Sequence, residues 1–331
     1  MIEIYLQHLK ENLEYFRTSG KKIIGVVKNN AYGHGSVAIS QALITYGVDY
    51  LFVNEIEEAV PLVEAGIQIP IMIHNSVDSN DYHLLKKYPN LVVTLNSYQD
   101  YLRLLGDPKL DHIRVQIQID TKMSRLGIKD WVEFTQLMDM LRVHPKFHID
   151  GIYTHFISVE AMAEQVSIFQ KYAAFYPFPM IHCAASSTAF ICSYGNYARI
   201  GLGLYDTKPL MRVAVKPLKI QVLEAGESIG YSAKYVAKTK EYIAVLPIGY
   251  GDGYSRRFEG FHVWCEDYTY EIVGRICMNH TFVKVNKNIT TDHVFELLST
   301  HLPAKELANY AGFINYEAYT NWQYRKVRYL P

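Results

Sequence analysis

The apolar run Ile23-Ile24-Gly25-Val26-Val27 delivers Lys28 into NNAYGHG, a loop of small and polar residues. A short Val/Ile-rich run bounded by such a loop reads as a buried strand and the turn that leaves it. A lysine at that position is either a surface charge or an amine aimed into a site. Partial burial disfavours an ammonium and lowers its pKa, and a neutral lysine amine forms a Schiff base with an aldehyde such as pyridoxal phosphate. Other apolar runs end in the same way, in Asn54, His74, Asp120, His155, Ser186 and Arg199. Most of these carry charge or donate a hydrogen bond. Near the last two runs, AASS (184–187) and GLGLY (201–205) offer hydroxyls and backbone N–H groups, which is what a phosphate needs.

Eight such runs precede residue 206: 23–28, 50–54, 70–75, 91–95, 113–120, 149–155, 180–185 and 198–205. Amphipathic stretches fall between them, among them SVAISQALITYG, EIEEAVPLVEAG with its terminal glycine, and WVEFTQLMDMLRVH. This alternation predicts βα units. Eight strands with seven crossovers suit a (β/α)8 barrel better than an open sheet, and barrel sites collect at the C-terminal strand ends. After residue 206 the texture changes to strands joined by short turns, as in YVAKTKEYIAVLPIG and HVWCEDYTYEIVGRICMNHTFVKV, which predicts a mainly antiparallel β-domain. The expected organisation is thus α/β, with a (β/α)8 barrel over 1–206 and a C-terminal β-domain over 207–331.

The 331 residues are 49% hydrophobic and carry 33 basic and 33 acidic side chains, so the chain can bury a large core and has no net charge to draw nucleic acid or an anionic membrane. Small molecules are the expected partners. The opening MIEIYLQHLKENLEYFRTSGKK lacks the uninterrupted apolar core of a signal peptide, and no run approaches the ~20 apolar residues of a membrane span, so a soluble, cytoplasmic protein is expected. Cys183, Cys192, Cys265 and Cys277 have neither CxxC nor metal-ligand spacing, which predicts reduced thiols and no structural metal.

Eight motifs, in order, resemble the alanine racemases, pyridoxal-phosphate enzymes with a barrel and a β-domain. They are VVKNNAYGHG (26–35), DTKMSRLG (120–127), GIYTHF (151–156), ARIGLGLYD (198–206), GYSAKY (230–235), IGYGDGYSRR (248–257), GRICMNH (274–280) and YRKVR (324–328). The resemblance implies that Lys28 carries the cofactor as a Schiff base and acts as the base on one face of the substrate carbon, while Tyr231 acts on the other. In the family that tyrosine comes from the second subunit, so the resemblance implies a homodimer with shared active sites. Tyr32, Ser186, Gly201, Leu202 and Tyr324 match the phosphate-binding positions. Arg199 matches the residue facing the pyridine nitrogen, and His155 the residue bridging Arg199 to the catalytic tyrosine. Arg125 and Met278 match positions that hold the substrate carboxylate, and Tyr250 one that narrows the entry.

The implied activity is interconversion of L- and D-alanine, supplying D-alanine for peptidoglycan. The alternatives are a racemase of another small amino acid such as serine, or a pyridoxal-phosphate-binding protein without turnover, which the β-domain with Tyr231 disfavours. The sequence also departs from the family. Gln118 stands where many members have a carbamylated lysine bracing the carboxylate-binding arginine, and Lys122 replaces a glycine shortly before Arg125. Something else must then orient Arg125, with Gln118, Lys122 or a bound anion as candidates. Asn279 replaces an aspartate after Met278, and Ala185 an asparagine near the phosphate positions.

Overall fold

The computed structural model describes residues 1–322 and 326–331, and the chain divides into two compact units. Leu9–Thr207 forms one of them. Its eight parallel strands are Lys22–Val26, Leu51–Val53, Ile71–Ile73, Leu91–Leu95, Ile113–Gln118, Phe147–Tyr153, Met180–Ala185 and Tyr197–Ile200, and they close into a barrel when the last pairs with the first. Closure explains the near-continuous apolar strands, since a barrel strand under helices is buried on both faces. Leu91–Leu95 is buried at every position. All eight expected runs form strands, and the three expected helices run Ser36–Thr45, Ile56–Glu64 and Trp131–Val143.

Two irregularities adjust what these strands present. The pairing register slips between Val115 and Gln116, where Asp150 is the extra residue, and between His182 and Ala184, where Cys183 is. A bulge of this kind re-aims the side chains beside it. Asp150 accepts from Tyr50 Oη at 2.9 Å and from Arg114 Nη2 at 2.7 Å.

Met1–His8 and Lys208–Pro331 form the other unit, so the opening eight residues do not belong to the barrel, as a 1–206 boundary would have them. Ile2–Tyr5 is an inner strand of a six-stranded sheet, antiparallel to Met211–Val215 and parallel to Val327–Leu330. The reason lies in its alternation. Ile2 and Ile4 are buried, while Glu3 is ion-paired at 2.7 Å with Arg212, which also meets Glu296. Apart from that one parallel pair the unit is antiparallel, as expected, with Lys219–Leu223, Glu241–Leu246 and Thr281–Val285 forming a second sheet. Two helices, Ala304–Ala311 and Asn315–Thr320, interrupt the β-texture expected from the sequence. Both ends of the first carry local signals: Pro303 precedes it, and Gly312 at φ 69° ends it. Among the described residues no helix is long and apolar enough to cross a membrane.

Candidate active site

Lys28 stands two residues past the end of the first barrel strand and is half-buried. Its amine is held toward the neutral form, first by burial and then by the positive charges of Arg125 and Arg199, with Glu58 opposing. The backbone then makes a turn that sequence reasoning treats as an ordinary loop. Asn29, Asn30, Ala31 and Tyr32 have φ of 50°, 53°, 52° and 52°, a left-handed turn that costs about 1–2 kcal/mol per non-glycine residue. Glu58 helps to hold it, its carboxylate accepting from Asn29 N and from Asn54 N, both at 2.6 Å, so that it clamps the loops after the first and second strands together. The turn brings Tyr32 back over the barrel mouth. Its ring lies 5.0 Å from that of Tyr205, and its hydroxyl occupies the space a Cβ at Gly201 would need.

Ser186 and the glycines of 201–203 are joined at the same end. Gly201 N and Gly203 N each donate to Ser186 Oγ at 3.1 Å, just where the helix Leu202–Asp206 begins. Tyr32, Ser186, Gly201 and Leu202, four of the expected phosphate ligands, are therefore gathered into one cradle of hydroxyls and backbone amides. Tyr324, the fifth, lies outside the described residues.

Arg199 is buried, and its guanidinium donates to neutral acceptors. Nη1 donates to His182 Nδ1 at 2.8 Å and to His182 O at 3.0 Å; Nη2 donates to Thr154 O at 2.7 Å and to His155 Nδ1 at 3.2 Å. The guanidinium also lies 5.1 Å from the centre of the Tyr153 ring. Burial beside this cation keeps both histidines neutral, His155 at a pKa of about 3 and His182 well below the ordinary value. With Nδ1 of His155 accepting from the guanidinium, its proton sits on Nε2.

Arg125 stands on the loop after Ile113–Gln118, and its Nη2 lies 3.4 Å from Nε2 of His74. Of the candidates for orienting Arg125, Lys122 does not reach it. That side chain is ion-paired with Glu164, and the backbone at Lys122 lies in the left-handed region at φ 94°. Gln118 reaches Arg125 only indirectly, through Tyr153 and His74. His74 thus has a place the sequence reading did not assign, as do Tyr153, His182 and Glu58. One signal was available: in IRVQIQ, Gln116 and Gln118 recur at period two inside an apolar strand, which marks a polar row on one face.

In the other unit, Tyr231, Tyr250 and Met278 are all exposed, at 68%, 46% and 56%. Tyr231 sits on the turn between the two-residue strands Ser228–Ile229 and Tyr235–Val236, flanked by Gly230 at φ 78° and Ser232 at φ 59°. Tyr250 and Met278 are held side by side, since Tyr250 N donates to Cys277 O at 3.1 Å and Gly251 N to Met278 O at 2.8 Å. Asn279 secures this loop by donating to Asp252 Oδ2 at 3.1 Å, the oxygen that also accepts from Gly249 N. An aspartate at 279 would set a second negative charge against Asp252.

The family model described as "Alanine racemase, N-terminal domain" matches residues 4–209, and "Alanine racemase, C-terminal domain" matches 210–330. The alanine racemase of Geobacillus kaustophilus is 30% identical over 96% of this chain and 90% of its own length. That of Limosilactobacillus fermentum is 31% identical over 91% and 88%. The crystal structure of alanine racemase from E. faecalis superposes with a TM-score of 0.93 at 29% identity, covering 99% of this chain and 97% of that one. Alanine racemase from Bartonella henselae with covalently bound pyridoxal phosphate gives 0.89 at 25% identity, covering 100% and 99%. With both domain models matched in order across a closed barrel and a β-domain, the chain belongs to the alanine racemase family, enzymes that interconvert L- and D-alanine.

Proposed function

We propose that this enzyme racemises alanine with pyridoxal phosphate held by Lys28, using Lys28 and Tyr231 as bases on opposite faces of the substrate. The observation that carries this reading is the Lys28 amine, kept toward its neutral and reactive form by burial and by Arg125 and Arg199 at the barrel mouth. The residues present fit the cofactor. Tyr32, Ser186 and the backbone of Gly201 and Leu202 offer a phosphate neutral hydrogen-bond donors, and the glycine at 201 leaves the approach open where a Cβ would meet Tyr32. When bound, pyridoxal phosphate supplies electron withdrawal that weakens the Cα–H bond of an attached amino acid.

The protein then selects the reaction. Racemisation requires one group to take a proton from one face of a tetrahedral carbon and another to return one on the opposite face. Lys28 does the first for one enantiomer and Tyr231 for the other. Arg199 would serve the pyridine nitrogen as a donor that does not give up its proton, because a guanidinium stays protonated even where burial lowers its pKa. With the cofactor bound, that would limit electron withdrawal by the ring and favour prompt return of a proton over other outcomes. In a site shared across a dimer, His155 would link Arg199 to the catalytic tyrosine of a second subunit through its Nε2–H, Arg125 and Met278 would receive the substrate carboxylate, and Tyr250 would narrow the entry. Tyr231 is exposed in the single chain, which accords with its serving a second subunit in a homodimer. The D-alanine produced would enter peptidoglycan.

A circular-dichroism time course of L-alanine, with L-serine alongside, tests the substrate assignment. The alanine signal should decay to zero faster than the serine signal. Lys28→Ala should lose both racemisation and covalently held cofactor; retention of the parent rate without an added amine would sink the mechanism.

A further inference from the structure

We propose that His74 is the positioning residue for Arg125, presenting a neutral imidazole lone pair at the end of a one-way hydrogen-bond chain that Gln118 and Tyr153 set. This rests on the reading of Arg125 as the carboxylate-binding residue. The direction of the chain is dictated by its two ends. Arg125 has only N–H donors, so Nε2 of His74, 3.4 Å from its Nη2, must be the acceptor. The imidazole proton then lies on Nδ1, which donates to Tyr153 Oη at 3.0 Å. Tyr153 sends its own proton on to Gln118 Oε1 at 2.7 Å. At the far end Gln118 Nε2 donates at 3.2 Å to the carbonyl of Leu126, the residue after Arg125.

The carbonyl of Leu126 is an acceptor only, so it fixes which way the Gln118 amide faces. The amide fixes Tyr153, Tyr153 fixes the tautomer of His74, and the lone pair returns to Arg125. Thr94 leaves this order intact: its hydroxyl donates to Ile73 O at 2.6 Å, so its proton is already used. The seat is also tight, since Gly127 has φ +109° and a Cβ there would stand 2.9 Å from Gln118 Cγ. Nothing in this chain of bonds is anionic. Lys122, the nearby cation, is paired with Glu164. Arg125 is therefore oriented without being neutralised, and its charge stays available to a carboxylate.

The test uses the cofactor-loaded enzyme labelled with 15N at histidine, the His74 signals being identified by their loss in His74→Gln. His74 should be the Nδ1–H tautomer, the less common form of a free imidazole. Gln118→Met removes the acceptor for Tyr153, whose hydroxyl can then donate to His74 Nδ1; the Nε2–H tautomer enters at the expense of the bond from Arg125, so the Nδ1–H share should fall. In kinetics His74→Leu should raise the KM for alanine about tenfold with kcat within about threefold, the loss of one hydrogen bond to a charged group. His74→Gln, whose amide also carries an acceptor and a donor on one carbon, should keep KM within about threefold. A parent His74 protonated on Nε2, an unchanged tautomer in Gln118→Met, or equal KM values for the Leu and Gln variants would each overturn the proposal. The tautomer is read without turnover, so failure of the Lys28/Tyr231 mechanism would leave it where it is.

Discussion

Nη1 of Arg199 lies 2.8 Å from Nδ1 of His182, so a buried guanidinium is satisfied by a neutral imidazole rather than by a carboxylate. The same choice recurs at His155 and His74, which face Arg199 and Arg125. A ring of neutral acceptors orients two cations and leaves their charge unspent at the barrel mouth. It also makes the fold sensitive to acid.

His34, His74 and His155 have pKa values of about 4, 3 and 3, all depressed chiefly by burial. In the unfolded chain each returns to about 6.5, so the unfolded state binds more protons as pH falls below that value. A depressed histidine therefore contributes stability that is complete above about pH 6.5 and is lost as pH falls toward the folded pKa, at about 1.4 kcal/mol per pH unit per histidine. Urea midpoints measured at pH 7, 6 and 5 should fall with accelerating steepness, above the range where carboxylates titrate. A flat midpoint over that window would show these histidines are not buried neutral.

Gly201→Ala should weaken cofactor binding about tenfold or more while changing the urea midpoint little. The new Cβ runs into Tyr32 Oη, and that hydroxyl can make room only by shifting away from the phosphate cradle. Titration of the cofactor-free protein with pyridoxal phosphate reads the effect, and unchanged affinity would remove Tyr32 and Gly201 from the binding set.

Gly127→Ala should cost about 1–3 kcal/mol of stability, because φ at 127 is +109° and the Cβ would stand 2.8 Å from Asp120 N. The strain falls on the loop carrying Arg125, so KM for alanine should rise more than kcat falls. Denaturant melts and initial rates on the same preparation separate the two effects.

Tyr231→Phe should abolish racemisation without destabilising the protein, since surface substitutions cost within about 0.5 kcal/mol. If the site is shared across a two-fold dimer, equal mixing of inactive Lys28→Ala and Tyr231→Phe subunits restores one intact site in each hybrid. With statistical exchange half the dimers are hybrids, so about a quarter of the parent activity should return. No recovery after verified subunit exchange would place both bases in one chain.

Features set by neighbours along the chain are legible in the residues alone. Eight apolar runs predicted eight strands because burial on both faces leaves a local record, and Lys28, His155 and Arg199 were visible as polar residues ending such runs. Features that depend on distant partners emerge only when the chain is folded. Nothing local in Ile2–Tyr5 separates it from the barrel sequence that follows, and only its pairing with Met211–Val215 and Val327–Leu330 assigns it to the other unit. The left-handed turn from Asn29 to Tyr32 has no glycine to announce it, because a contact to Glu58, 29 residues beyond Asn29, helps to hold it. His74, Gln118, Arg125 and Tyr153 come from the ends of three strands and one loop, and a hydrogen bond's direction is set by which donors and acceptors face each other, a relation that no spacing within the chain records.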